Sequence, residues 1–305
     1  MPCVMLGLSY SRASSLQEIR GLTGARGLAA LAVFLFHINL LLFGGKYVPI
    51  ISTGFSGVDF FFVLTGFLLW KLYGSNLNPR KYFTRRIFRT FPLYYLTIPL
   101  YVVAGLQLFT PLDFFYLQNF LPSTFALDSV WTLCVEETFY FAVFPLVMLA
   151  VRRGWLKYML PLSAALSLSY GVLLPSNFFH AQMPAFLVCY LFGIWAAQAN
   201  LRAGDKALAI FWWAVCALTV GSGPVEPLLY GSAFALVLVE FQDARFFSNK
   251  VSYYLGKISY GVYIVQVPLL VLFGFWGIPL TLGLAALSYH YFESPLINLG
   301  RKLTT

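Results

Sequence analysis

Charge is scarce in this 305-residue chain: 10% of its residues are Asp, Glu, Lys or Arg, while 60% are hydrophobic. A soluble globular domain carries about 25% charged and 45–50% apolar residues. The shortage excludes an ordinary soluble domain, and the mean hydropathy of +0.77 points to an integral membrane protein. Acidic residues are fewest, 11 against 20 basic ones, and histidine occurs three times. The four cysteines (Cys3, Cys134, Cys189, Cys216) form no CxxC pair and no zinc-ligand spacing, so no metal is expected. Internal repeats, low-complexity tracts and long linkers are lacking too, and the longest polar stretch, 74–86, is short. Residues 1–305 therefore read as one membrane domain, with 1–20 as a short cytoplasmic segment. That segment lacks a basic region followed by an apolar run and a small-residue cleavage site, so no signal peptide is expected.

Apolar runs are what the chain has. A transmembrane helix needs about 20 mostly apolar residues, and about ten candidates follow one another. They run Leu22–Phe43, Gly54–Tyr73, Phe91–Phe109, Trp131–Val151, Leu156–Leu174, Met183–Ala199, Ala207–Gly221, Pro227–Phe241, Ile258–Trp276 and Ile278–Tyr291. The expected fold is an all-α polytopic bundle with both termini in the cytoplasm. In that orientation all but one of the 20 basic residues fall inside, Lys46 being the exception. The net charge of +9 is thereby explained without nucleic acid as a partner. An aromatic content of 19% suits a lipid–water boundary.

Ionisable residues at membrane depth are costly and mark function by default. "RGLAALAVFLFH" carries Arg26 at one end and His37 at the other. Eleven residues are close to three helical turns, so both share a face, about 16 Å apart. Asp59 in "GVDFFFVLTGFLLW" and Glu136 and Glu137 in "VWTLCVEETFYF" lie five or six residues from the outer ends of their spans, as His37 does. Counted this way, a histidine and three carboxylates share one depth, which requires a common polar cavity. A histidine beside a carboxylate is a natural general base; the plainer reading is a hydrogen-bonded packing residue. Glu136 and Glu137 point about 100° apart and should do different jobs, one of them pairing with an arginine.

"RKYFTRRIFR" ends at Arg89 and is basic and partly amphipathic. Its plain reading is contact with anionic membrane lipid. Its sharper reading is a phosphate-binding rim, since Arg86 and Arg89 share a helix face. Glu293 in "HYFESP" has a basic neighbour as its simplest partner, and His180 and His290 read as boundary residues. Pro99, Pro145, Pro161 and Pro268 read as kinks.

These pieces, in order, resemble the membrane acyltransferase family 3. Arg26 and His37 match its arginine–ten residues–histidine pattern, "GVDFFFVLTGFLL" its Gly-x-Asp segment, and "RRIFRTFPLYY" its arginine–proline–tyrosine segment. "WTLCVEETFYFAVFP", "ISYGVYIVQVPL" and "FESP" are similar to its later segments. The resemblance implies acyl transfer, usually of acetyl from acetyl-CoA, to a carbohydrate hydroxyl at the bacterial cytoplasmic membrane. It implies His37 and Glu136 as catalytic residues, joined by Asp59 from the shared depth, and Arg26, Arg86 and Arg89 as donor-binding residues, joined by Arg85 from the same basic stretch. Thr65, Trp131, Glu137, Tyr260 and Glu293 would line the substrate site. Three positions depart from the pattern: Thr65 stands for Ser, Thr23 for Asp, and Gln266 for a histidine. The rival reading is a secondary transporter with a His/Asp/Glu proton relay, for which the expected inverted repeat is not visible.

Overall fold

The computed structural model describes residues 20–106, 110–117, 119, 130–174, 182–199, 206–217, 223–241 and 244–304. The expectations for the first 19 residues and for His180 lie outside these. Among the described residues every regular element is helical. The helices are α1 (Arg20–Leu42), α2 (Gly57–Tyr73), α3 (Pro79–Val103), α4 (Trp131–Arg152), α5 (Leu156–Leu173), α6 (Met183–Gln198), α7 (Lys206–Ala217), α8 (Glu226–Phe241), α9 (Lys250–Phe273) and α10 (277–302). Five described segments are long and apolar enough to cross a bilayer: Arg20–Leu42, Ile50–Tyr73, Trp131–Arg152, Leu156–Leu173 and Lys250–Lys302. Large apolar side chains project outward, among them Leu146, Leu162 and Leu173 at 68%, 70% and 78% exposure. Lipid tolerates that surface and water does not.

Two helices begin earlier than hydropathy implies. α3 starts at Pro79, with the Asn78 side chain accepting from Lys81 N at 3.1 Å, so the basic stretch lies on the same helix as the apolar one. α9 starts at Lys250, capped by Asn249 through Val251 N and Ser252 N. Both caps satisfy amides that the first turn leaves open.

Small residues set the packing, because lipid gives no hydrophobic drive for helices to associate and close backbone contact must supply it. A Cβ on Gly27 of α1 would stand 2.4 Å from Gly256 N of α9, and one on Gly193 of α6 would stand 1.9 Å from Val63 O of α2. α1 and α9 run parallel: Arg20 lies over the Tyr253 ring at one end, and Phe43 meets Phe275 at the other. α2 runs antiparallel to α1, with Gly54 against Ala32 and Gly57 against Ala29.

Two π turns interrupt otherwise continuous helices, at Phe139–Val143 in α4 and Tyr289–Glu293 in α10. Such turns occur often at functional sites, and both of these contribute a side chain to the cavities described next.

Candidate active site

Two cavities lie in the half of the bundle that contains Arg26. The inner one, about 200 Å³, is lined by Arg26, Thr65, Arg86, Arg89, Thr90, Thr132, Glu136, Tyr140, Ser259, Tyr260 and Tyr263, with apolar walls from α2. The second, about 280 Å³, forms a vestibule lined by Arg26, Arg89, Lys257, Tyr260, Tyr289, Glu293, Ser294, Asn298 and Arg301. Arg26, Arg89 and Tyr260 line both, so the two adjoin at these residues.

Glu136 is the polar centre of the inner cavity. Thr65 Oγ1 donates to its Oε1 at 3.0 Å, and the Tyr140 hydroxyl donates to the same oxygen from one turn further along α4. The Arg86 guanidinium sits over the Tyr140 ring, 4.7 Å from its centre. Carboxylate, phenol and guanidinium are thereby stacked in one cluster, which fixes three side chains from α3 and α4. The Tyr82 hydroxyl anchors the π turn by donating to Tyr140 O at 2.9 Å. On the opposite wall the Tyr260 hydroxyl donates to Thr90 O at 2.7 Å, and Arg26 Nη2 to Gly256 O at 2.9 Å. In the vestibule, Ser288 Oγ donates to Glu293 Oε1 at 3.0 Å.

The structure thus brings Arg26, Arg86, Arg89, Thr65, Glu136, Tyr260 and Glu293 onto the cavity walls. It does not do so for the other expected residues. Arg85 donates through Nε to Thr304 Oγ1 at 3.2 Å, away from both cavities. Trp131 packs on Phe186 and accepts from Asn119 through its carbonyl. Glu137, only 3% exposed, lies beside Thr90 and Arg86 behind the lining.

The shared depth of His37, Asp59 and Glu136 needs correction. Gly57 meets Ala29 and Val33, so Asp59 is level with about Ala29, eight residues from His37. At 1.5 Å per residue that is about 12 Å nearer the Arg26 end. Asp59 is buried against Cys189, whose Sγ lies 3.7 Å from its Oδ1, with Glu226 of α8 nearby. Glu136, bonded to Thr65, is deeper still, at the level of Arg26. Neither Asp59 nor Glu136 therefore stands beside His37 by this register. What does stand level with it is Gln266, because the parallel α1–α9 register pairs position 27 with 256. Gln266 is fully buried with neither amide atom hydrogen-bonded, and the half-buried His37 leaves Nδ1 without a hydrogen bond. On α9 the lining of the inner cavity reaches Tyr263, about one turn short of Gln266, and on α2 it reaches Val58, about two turns short of His37.

Sequence reasoning missed Tyr140, Thr90, Ser259, Lys257 and Arg301. Tyr140 was accessible, standing four residues after Glu136 on one helix face; the others carry no local signal. Among the described residues no group of three or more His, Cys, Asp or Glu could hold a metal ion.

An arginine-walled, apolar-lined cavity with one carboxylate and several hydroxyls, set in a helical bundle with membrane-length apolar spans, is the architecture of a membrane-embedded enzyme site. The chain belongs to the acyltransferase-3 family, whose model, described as an acyltransferase domain, matches residues 19–293. It is 32% identical to a candidate acetyltransferase of Acidianus two-tailed virus, over 85% of this chain and 86% of that one. It is 27% identical to a candidate peptidoglycan O-acetyltransferase of Bacillus subtilis and 24% identical to the peptidoglycan O-acetyltransferase OatA of Listeria monocytogenes, in each case over 95% of this chain. The chain spans 57% of the length of each of these two bacterial relatives. No solved structure matches it. Family and relatives together support O-acyl transfer as the class of chemistry, in an integral membrane protein.

Proposed function

We propose that the protein moves an acetyl group from cytoplasmic acetyl-CoA to a carbohydrate hydroxyl at the outer side of the bacterial cytoplasmic membrane. The observation that carries this reading is the adjoining pair of cavities, basic at the vestibule and apolar further in. A donor with a phosphorylated head and a long, mostly uncharged arm fits that order. Arg26, Arg86 and Arg89 hold phosphate through charge-assisted hydrogen bonds, and the arm extends along the roughly 16 Å of α1 between Arg26 and His37. Glu136, by fixing Tyr140 and through its ring Arg86, positions the donor.

His37 then acts as general base. Its imidazole takes the proton of the acceptor hydroxyl, and the oxygen attacks the thioester carbonyl. The tetrahedral intermediate collapses with loss of the CoA thiolate, which recovers the proton from the imidazolium, giving the O-acetyl ester and CoA. A cell-envelope glycan is the acceptor class, in keeping with the names of the bacterial relatives.

The test uses membranes containing the protein, acetyl-CoA labelled in the acetyl group and a glycan extract. Label should enter base-labile esters with the wild type and not with His37→Ala. Wild-type membranes that leave the glycan unlabelled while acetylating nothing else would overturn the proposal.

A further inference from the structure

The vestibule holds more cation than its simplest explanations require. Positive residues collect at the cytoplasmic ends of spans in general, and Arg301 in the last turn of α10 favourably meets the helix dipole. Neither effect calls for a concave chamber of about 280 Å³ with Arg26, Arg89, Lys257 and Arg301 on its wall beside Glu293. The Lys257 ammonium is steadied on an aromatic wall, 5.0 Å from the Tyr253 ring centre and 6.0 Å from that of Tyr289. Four basic side chains from α1, α3, α9 and α10 thus converge on one concave space, an arrangement that suits a multiply charged anion.

The order of these cations also matters. Arg26 and Arg89 are shared with the inner cavity, whereas Lys257 and Arg301 border the vestibule alone. CoA carries its charge in two separated groups: a pyrophosphate next to the pantetheine arm and, beyond it, a 3′-phosphate on the ribose. We infer that the vestibule is a subsite for that nucleotide head, with Arg26 and Arg89 on the pyrophosphate and Lys257 and Arg301 on the ribose 3′-phosphate. This rests on acetyl-CoA as donor and adds two residues and a chemical group to it. Lys257 and Arg301 make the site selective for CoA over donors that lack the 3′-phosphate.

The test compares CoA with dephospho-CoA, which differs only in that phosphate. Binding is measured on the full chain in phosphatidylcholine nanodiscs, for the wild type and for Lys257→Met, Arg301→Gln and the double variant, with thermal unfolding as a check on folding. The wild type should prefer CoA by about tenfold or more, the size of one charge-assisted contact. The double variant should bind both ligands equally, its loss confined to CoA. A wild-type ratio near one, or a ratio that survives the substitutions, overturns the inference. Arg301→Gln, at an exposed helix end, supplies the answer should Lys257→Met fail to fold. An anionic lipid headgroup could supply the same phosphate chemistry; if phosphatidylglycerol in the nanodiscs erases the CoA preference, the vestibule is a lipid site and the inference is wrong. Failure of the donor reading looks different: neither CoA nor dephospho-CoA would bind saturably, and labelled acetyl-CoA would not be consumed.

Discussion

Gly27 of α1 and Gly256 of α9 meet backbone to backbone, and the Gly256 carbonyl accepts a hydrogen bond from Arg26 at 2.9 Å. One contact therefore sets both the approach of the two helices and the placing of the guanidinium that both cavities share. A side chain at either glycine pushes the helices apart. Gly27→Leu should cost more than the 1–3 kcal/mol typical of overpacking, since backbone and not a movable side chain is in the way. Thermal unfolding of the purified protein should show a lower Tm and lost donor binding. An unchanged Tm would mean the helices can part freely.

Thr65 tests the cluster around Glu136. Thr65→Val keeps the shape and removes a donor from a partly buried carboxylate, which costs about 1–3 kcal/mol. Acetyl transfer should fall roughly tenfold in kcat/KM, whereas Thr65→Ser should stay near wild type. A loss in Thr65→Ser with Thr65→Val near wild type would show that the methyl packing matters and the hydrogen bond does not.

Much of this site was legible. Arg26, Arg86, Arg89, Glu136 and Glu293 were singled out as charged residues in or beside apolar runs, Thr65 and Tyr260 only through the family resemblance, and all line one of the two cavities. Their legibility has a physical basis: an ionisable residue inside an apolar run has few reasons to be there. Vertical offset was not legible. Hydropathy locates span ends to within a few residues but says nothing of how far one helix slides against the next. Gly54 and Gly57 fix that slide for α2 and carry Asp59 toward the Arg26 end. α4 likewise begins inside the bundle, with Thr132 hydrogen-bonded to Tyr263 midway along α9 at 2.7 Å, so counting from its apparent outer end misplaced Glu136. Lys257 and Arg301 lie 44 positions apart, and only the fold of α9 against α10 brings them to one chamber.

Orientation is open to direct measurement. Tyr47 is 66% exposed in the turn after α1, and Arg80 is exposed at the start of α3. Cys134, Cys189 and Cys216 are buried, so only Cys3 needs replacing beforehand. In intact cells Tyr47→Cys should react with a membrane-impermeant maleimide, and Arg80→Cys should react only after permeabilisation. The opposite pattern would invert the bundle and place the vestibule outside, out of reach of a cytoplasmic donor.

His37 and Asp59 separate base chemistry from packing. His37→Ala should fold and bind CoA as the wild type does, because the arginines lie about 16 Å away along α1. It should lose acetyl transfer by at least the 10²–10⁴-fold that general-base catalysis contributes. Asp59, buried against Cys189 and remote from His37, should behave differently. Asp59→Asn should alter thermal stability while leaving the shape of the pH–rate profile unchanged, since that shape reports the base. Should Asp59→Asn move the acid limb of the profile, the two residues are coupled across the roughly 12 Å that the glycine contacts put between them. The register of α1 against α2 would then be wrong in the working enzyme. Should His37→Ala instead retain near-normal transfer, the imidazole is a packing group, and the proton must be taken at the Glu136 cluster, where a carboxylate, a threonine and a tyrosine already share hydrogen bonds.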